Sequence, residues 1–218
     1  MPKELRNLGI TLIIVIAACL IFYKFIYTTD PVLTTQTNST SSIPMVSNLA
    51  SLHSFSYGPI DAKVTVVEFF DPECESCAAV APYLTKEMEF YKDKVRWVFR
   101  YMAYHKNSKT AIRVLEAARK QNLFLEVQHT LFENQKNWGE QQVSTEVQIL
   151  ETASKIKSIN MDQLKKDMSD STIEDIINSD ATEGTQAGVK GTPTFFINGV
   201  ILEEFNFDLL IQKINERL

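Results

Sequence analysis

Two cysteines three apart, Cys74 and Cys77, lie in the stretch FFDPECESCAAVAP (Phe69 to Pro82), with Asp71, Glu73 and Glu75 crowded around them. Thiols at this spacing usually act as thiolates, either holding a metal or exchanging disulfides. A disulfide between them would enclose two residues and cross-link almost no chain, so a purely structural role would stabilise little. Structural zinc normally takes four ligands, and here there is no second cysteine pair while His53, His105 and His129 are scattered. No metal site is expected on that count, although copper(I) held by two soft thiolates stays open beside the redox couple.

Position favours the redox couple. The preceding KVTVVEFF (Lys63 to Phe70) is β-branched and apolar on both faces, as a buried central strand should be. If Asp71, Pro72 and Glu73 turn the chain, Cys74 begins a helix running to about Lys92. There the unpaired N–H groups and the positive dipole end favour its thiolate. Cys74 is then the exposed nucleophile and Cys77, one turn on and facing inward, the thiol that resolves a mixed disulfide. Glu68, a carboxylate inside the apolar strand, reads as a buried acid of raised pKa able to exchange a proton with the buried thiol. A strand-end glutamate reaching solvent is its alternative reading. Pro82 falls inside the same helix and should kink it.

The elements that must carry this site follow along the chain. VRWVFRYM (Val95 to Met102) reads as a second strand and completes a β-α-β unit, which implies parallel pairing. Residues 107 to about 188 are helical in character, in amphipathic stretches separated by Asn, Trp-Gly and Ser breaks. Short strands return at Thr194 to Ile197 and Val200 to Glu203, joined by Asn198-Gly199, a strong hairpin signal. A final helix spans Phe207 to Leu218. Pro193 immediately precedes the returning strand in GVKGTPTFFINGV. Trp97 and the phenylalanine-rich strands read as core, Trp138 as packing at a loop, and His105 as a polar loop residue in preference to a proton donor near the cysteines.

The chain has 218 residues, a net charge of -5 and a sequence pI near 5.3, with no basic patch to neutralise phosphates, so nucleic acid is not an expected partner. Near the N-terminus, Leu8 to Tyr27 is apolar except for Lys24. About 20 residues at 1.5 Å each would cross a hydrocarbon core of about 30 Å. Lys3 and Arg6 precede it, so the positive-inside rule leaves the N-terminus in the cytoplasm and the body outside. The alternatives are a cleaved signal peptide, or a lipoprotein modified at Cys19 within IAAC; the apolar run continuing past Cys19 favours an uncleaved anchor. The expected organisation is a cytoplasmic tail at 1–7, a transmembrane signal anchor at 8–27, a Thr/Ser/Asn-rich flexible linker at 28–57 and a folded body at 58–218.

Taken together, the strand VVEFF, the pair CESC with APYL behind it, the block FRYMAYHKNSKTAIRVLEAARKQNLF and the segment GTPTFFING resemble the thioredoxin superfamily. The likeness is closer to its DsbA-like branch of bacterial extracytoplasmic thiol-disulfide oxidoreductases, and it covers residues 58 to 218. The resemblance implies an α/β thioredoxin-like fold with a helical domain inserted at about 107–188. It also implies Cys74 as nucleophile, Cys77 as resolving thiol, Glu68 as buried acid, and Pro193 as a cis-proline packed beside the disulfide. Thr192 would offer backbone hydrogen bonds to an extended substrate, a form of strand addition.

Strongly oxidising members carry Pro-His between their cysteines, whereas this chain carries Glu75-Ser76. The expectation is therefore that Glu73, Glu75 and Ser76 tune the couple, leaving the Cys74 pKa nearer a free thiol and the disulfide a weaker oxidant; the equal alternative is that Glu73 and Glu75 are solvated and screened, with little effect. The expected activity is disulfide exchange with cysteine-containing extracytoplasmic proteins, from a single-pass protein of the bacterial inner membrane. A membrane redox partner would reset the couple, and no cofactor beyond the Cys74-Cys77 disulfide would be needed. Oxidase, reductase and isomerase directions stay open. The alternative is a binding protein, either a copper(I) carrier or a redox-inactive peptide-binding module.

Overall fold

The computed structural model describes residues 20, 49–139 and 146–218. The expected membrane span, Cys19 and the linker up to residue 48 lie outside the described residues, Leu20 apart. Among the described residues no helix is long and apolar enough to cross a membrane. The chain divides after residue 42, and the fold lies in the unit Ile43–Leu218.

Its centre is a five-stranded sheet built from β1 (Phe55–Tyr57), β2 (Val64–Phe70), β3 (Val95–Tyr101), β4 (Thr194–Ile197) and β5 (Val200–Ile201), in the order β1-β3-β2-β4-β5. The α1 helix (Glu75–Phe90) links β2 to β3, which run parallel, while the other three pairings are antiparallel. β2 is central and buried on both faces, which is why VTVVEFF lacks a polar alternation. Register places Glu68 opposite Phe99 on one side and Phe195 on the other. Between β4 and β5, Asn198 and Gly199 adopt φ of 49° and 77°, which only a residue tolerant of the left-handed region accepts. The Asn198 side chain also receives the Thr65 N–H at 2.7 Å and so hooks the hairpin onto β2.

Each sheet face has its own core. Val64, Val66 and Phe70 project with Trp97 and Phe195 into the larger cluster, which takes in Cys77 and Leu84 of α1, the last helix α7 (Phe207–Asn215) and the helical insertion. Val67, Phe69, Val98 and Phe196 form the smaller cluster with Leu49, Met102 and Val189. The insertion comprises α2 (Ser108–Arg119), α3 (Phe124–Glu133), α4 (Glu146–Ala153) and α5 (Met161–Asp167), followed by α6 (Thr172–Gln186). The α2 helix is its pillar: Ala111, Ile112, Leu115 and Ala118 are fully buried, and α3 to α6 all pack on it. The α6 helix returns the chain to the smaller face, where Gly184 lies so close to Phe69 and Met102 that a Cβ would sit 2.7 to 2.9 Å from them.

One expected boundary is wrong. The linker does not run to residue 57, because Leu49 is buried, Phe55 stacks on Phe124 at 4.1 Å, and Phe55 to Tyr57 pair with β3. The reason lies in two charged residues. Arg100 of β3 is fully buried, and its guanidinium donates to Asp180 (2.6 Å), Glu183 (3.0 Å) and the Leu49 carbonyl (2.8 Å). Asp180, also fully buried, accepts the Tyr101 N–H at 2.8 Å and meets His53 Nε2 at 2.7 Å. Residues 49 to 57 complete this network, so the folded body begins by Leu49.

Candidate functional site

The C-terminal ends of the parallel strands β2 and β3 lie side by side, so the loops that follow them converge. After β2 the chain turns through Asp71, Pro72 and Glu73 to Cys74, which caps α1 with extended backbone (φ -75°, ψ 121°) and does not lie in its first turn. Cys77 follows one turn later and is buried, at 1% exposed. Pro82 sits farther along α1, where it supplies no N–H to the Ala78 carbonyl.

Cys74 was expected to be exposed and is not: at 9% it is nearly as covered as its partner. Its Sγ is tucked against the Thr192–Pro193 segment, donating to the Thr192 carbonyl at 3.3 Å across a cis Thr192–Pro193 bond. What separates the two thiols is the direction of the hydrogen bond between them together with the deeper burial of Cys77. The Cys74 pKa is lowered to about 5, chiefly because the Cys77 thiol donates to it. Burial opposes this, while the Thr192 side chain and the backbone amides of Cys77 and Ser76 favour the charged sulfur. The Thr192 carbonyl can only accept and by itself favours the thiol; the donors outweigh it. Cys77 moves the other way, well above an ordinary thiol, through burial first, then the hydrogen bond it donates to Cys74, and then the charges of Glu68 and Cys74.

Glu68 lies on the face of β2 that carries the larger core, 5% exposed, with no hydrogen bond or ion pair among the described residues. Burial, and secondarily the Cys74 charge, raise its pKa to about 8. It is therefore protonated at neutral pH and coupled to the Cys77 sulfur.

The tuning expected of the acids does not occur as foreseen. A Cys74 pKa of about 5 is far from a free thiol, because the hydrogen bond from Cys77 and the other donors outweigh burial. Glu73 is buried and points into the insertion, accepting the Asn107 N–H at 2.5 Å and its Nδ2 at 2.9 Å. Glu75 and Ser76 are exposed on the helix, where solvent screens the Glu75 charge, and Ser76 contributes only its backbone amide. Asp71 is fully buried and serves as a knot. Its Oδ1 accepts from the Glu73 N–H (2.8 Å) and the Ser108 hydroxyl (2.5 Å), and its Oδ2 from the Tyr104 N–H (2.8 Å) and His105 Nδ1 (2.8 Å).

Sequence reading missed this linkage of HKNS (His105 to Ser108) to the cysteine turn. The signal that could have found it is the parallel pairing itself, which brings the loops after β2 and β3 to one end of the sheet. The candidate site thus gathers Cys74, Cys77, Glu68, Thr192 and Pro193, while Glu73 is turned into the insertion and Glu75 into solvent.

The family model described as thioredoxin matches residues 51–215. Disulfide bond formation protein D of Bacillus subtilis is 27% identical over 169 residues, covering 74% of this chain and 75% of that protein. The Na(+)/H(+) antiporter NhaA 3 of Salinispora tropica is 30% identical over 145 residues; the match takes in 65% of this chain, which spans only 21% of the antiporter. Among solved structures, oxidised BdbD from Bacillus subtilis superposes with a TM-score of 0.65 at 25% identity, covering 74% of this chain and 91% of that one. Wolbachia pipientis α-DsbA1 superposes at 0.67, with 18% identity and coverage of 77% and 92%, a likeness of fold.

Proposed function

Because the chain belongs to the thioredoxin family and has the DsbA-like arrangement of a thioredoxin fold with a helical insertion, we propose that it is a protein thiol-disulfide oxidoreductase working through Cys74 and Cys77. The observation that carries the reading is the opposed pair of thiols, one held as a thiolate at neutral pH and the other held protonated beside a protonated glutamic acid.

In the oxidising direction a substrate thiolate attacks Cys74 Sγ of the Cys74-Cys77 disulfide. The S–S bond breaks, Cys77 leaves with the electron pair and takes a proton, for which Glu68 is the adjacent donor. A second substrate thiolate then attacks the substrate sulfur of the mixed disulfide, and Cys74 leaves as a thiolate. The substrate has lost two electrons, the enzyme holds them as a dithiol, and a redox partner must remove them. We assign Thr192 and Pro193, the segment against which Cys74 packs, to receive an extended substrate segment.

A thiolate this stable favours the reduced enzyme, so the disulfide is an oxidant, which the acidic residues alone would not suggest. The organisation that goes with this reading is a membrane anchor at 8–27, a linker ending near residue 48 and the catalytic body on the extracytoplasmic side, acting on cysteine-containing proteins there. Equilibrating the full chain in glutathione buffers and quantifying the dithiol tests the function. A Cys74 pKa between the roughly 3.5 of strong oxidants and the roughly 7 of thioredoxin goes with a potential between about -120 and -270 mV. Absence of a reversible couple, with Cys74→Ser as control, would refute it.

A further inference from the structure

Resting on the disulfide-exchange reading above, we infer that Gln135 is a positioning residue for Cys74. Its side-chain amide pins the turn that presents the reacting sulfur, so the helical insertion takes part in setting where that sulfur sits.

Residues Asp71 to Cys74 form a four-residue turn closed by the Cys74 N–H on the Asp71 carbonyl at 3.1 Å. That bond fixes the two ends, and the central peptide is the part whose orientation differs between the common turn types. Here the central peptide joins Pro72 to Glu73, and both of its polar atoms are held. Its N–H donates to Asp71 Oδ1 at 2.8 Å, and its carbonyl accepts from Gln135 Nε2 at 3.0 Å. The first hold is local. The second spans 63 residues of sequence and comes from the insertion. Rotating this peptide would break both bonds and strand a buried amide and a buried carbonyl.

Gln135 is itself held in place. It opens the 3-10 turn Gln135–Asn137 that follows α3, and it is buried. Its carbonyl accepts the N–H groups of Trp138 at 3.1 Å and Gly139 at 2.7 Å, and a Cβ at Gly139 would lie 3.0 Å from that oxygen. Trp138 is fully buried, donates from Nε1 to the Leu131 carbonyl at 2.9 Å, and accepts Asn107 Nδ2 on its own carbonyl at 3.4 Å. That Asn107 amide also donates to Glu73 Oε1 at 2.9 Å. Two routes therefore tie this loop to the turn, Gln135 to Pro72 directly and Trp138 to Glu73 through Asn107.

Cys74 follows the turn as the cap of α1. The direction in which the turn delivers it sets Sγ against Thr192 and within reach of the Cys77 thiol. A turn free to rotate leaves those donors part of the time, and the thiolate is less stable. Attack by Cys74 on a disulfide and its departure from a mixed disulfide both run through that thiolate.

The test titrates thiolate absorbance near 240 nm in the reduced full-length protein, in wild type, Gln135→Met and Gln121→Met. Methionine keeps the length of the side chain and removes its donor. Gln121 serves as control because its Nε2 makes a comparable bond inside the insertion, to the Asn160 carbonyl at 3.1 Å, away from the turn. In Gln135→Met the Cys74 acid dissociation constant should fall about 2- to 10-fold, the worth of one hydrogen bond, and in Gln121→Met it should hold. A titration unchanged in Gln135→Met, or moved equally in Gln121→Met, would overturn the proposal and leave Gln135 a structural role only. Hydrogen exchange in the wild type needs no variant: the Glu73 amide should be as protected as the middle of α2, and free exchange there would equally overturn the pinned turn. Both measurements read the turn and the thiolate whether or not the protein exchanges disulfides. Failure here therefore leaves the functional reading standing, and absence of a reversible couple leaves the positioning standing.

Discussion

Replacing Glu68 by glutamine should make the protein more stable at neutral pH. An acid with a folded pKa of about 8 against 4.5 in the unfolded chain holds its proton in the native state after the unfolded state has released it. Between those values stability falls with rising pH by about 1.4 kcal/mol per unit. The contribution is fully present below 4.5 and lost on the way up to 8, opposite in sign to an ordinary ion-paired carboxylate. At pH 7 the loss amounts to about 3 kcal/mol, an upper figure, because the glutamine amide must itself be buried. Urea denaturation of a fragment starting at residue 49, wild type against Glu68→Gln, should show the variant ahead by about 1.5 to 3 kcal/mol at pH 7. The gap should close by pH 4. It should be smaller in the disulfide form, which lacks the Cys74 charge that adds to the shift. A difference independent of pH, or a variant less stable at pH 7, would refute the buried acid.

Asp180→Ala leaves the buried Arg100 guanidinium short of its main partner and strips the Tyr101 N–H of its acceptor, so denaturation should show a loss of about 3 to 5 kcal/mol. A fragment beginning at Gly58 loses Leu49, β1 and the Phe55–Phe124 stack, and its denaturation midpoint should correspond to a loss of about 3 kcal/mol or more against one beginning at residue 49; equal midpoints would return residues 49 to 57 to the linker.

Much of the architecture was legible in one dimension because its determinants are local. A β-branched run marks a strand buried on both faces, Asn198-Gly199 marks a tight hairpin through its φ preference, and helical periodicity marks the insertion. The cysteine spacing and a carboxylate inside an apolar strand pointed to the reacting centre for the same reason: both anomalies are visible within a few residues of each other.

Partnership was not legible, and it decided the roles. Glu68 and Arg100 are the same kind of anomaly, a charge in a buried strand. Arg100 is neutralised by Asp180, 80 residues away, whereas Glu68 finds no partner among the described residues and keeps its proton, as the proposed role requires. Asp71 and Glu73 looked like charges pressed on the thiolate, yet one knots the β3–α2 loop and the other caps Asn107. By itself the sequence determined the order of the elements, the fold and the pair of sulfurs proposed to react, since propensity and spacing act over a few residues. Only the tertiary structure decided which charges face those sulfurs, because in a low-dielectric interior an ionisable group's state depends on partners that the fold brings from distant parts of the chain.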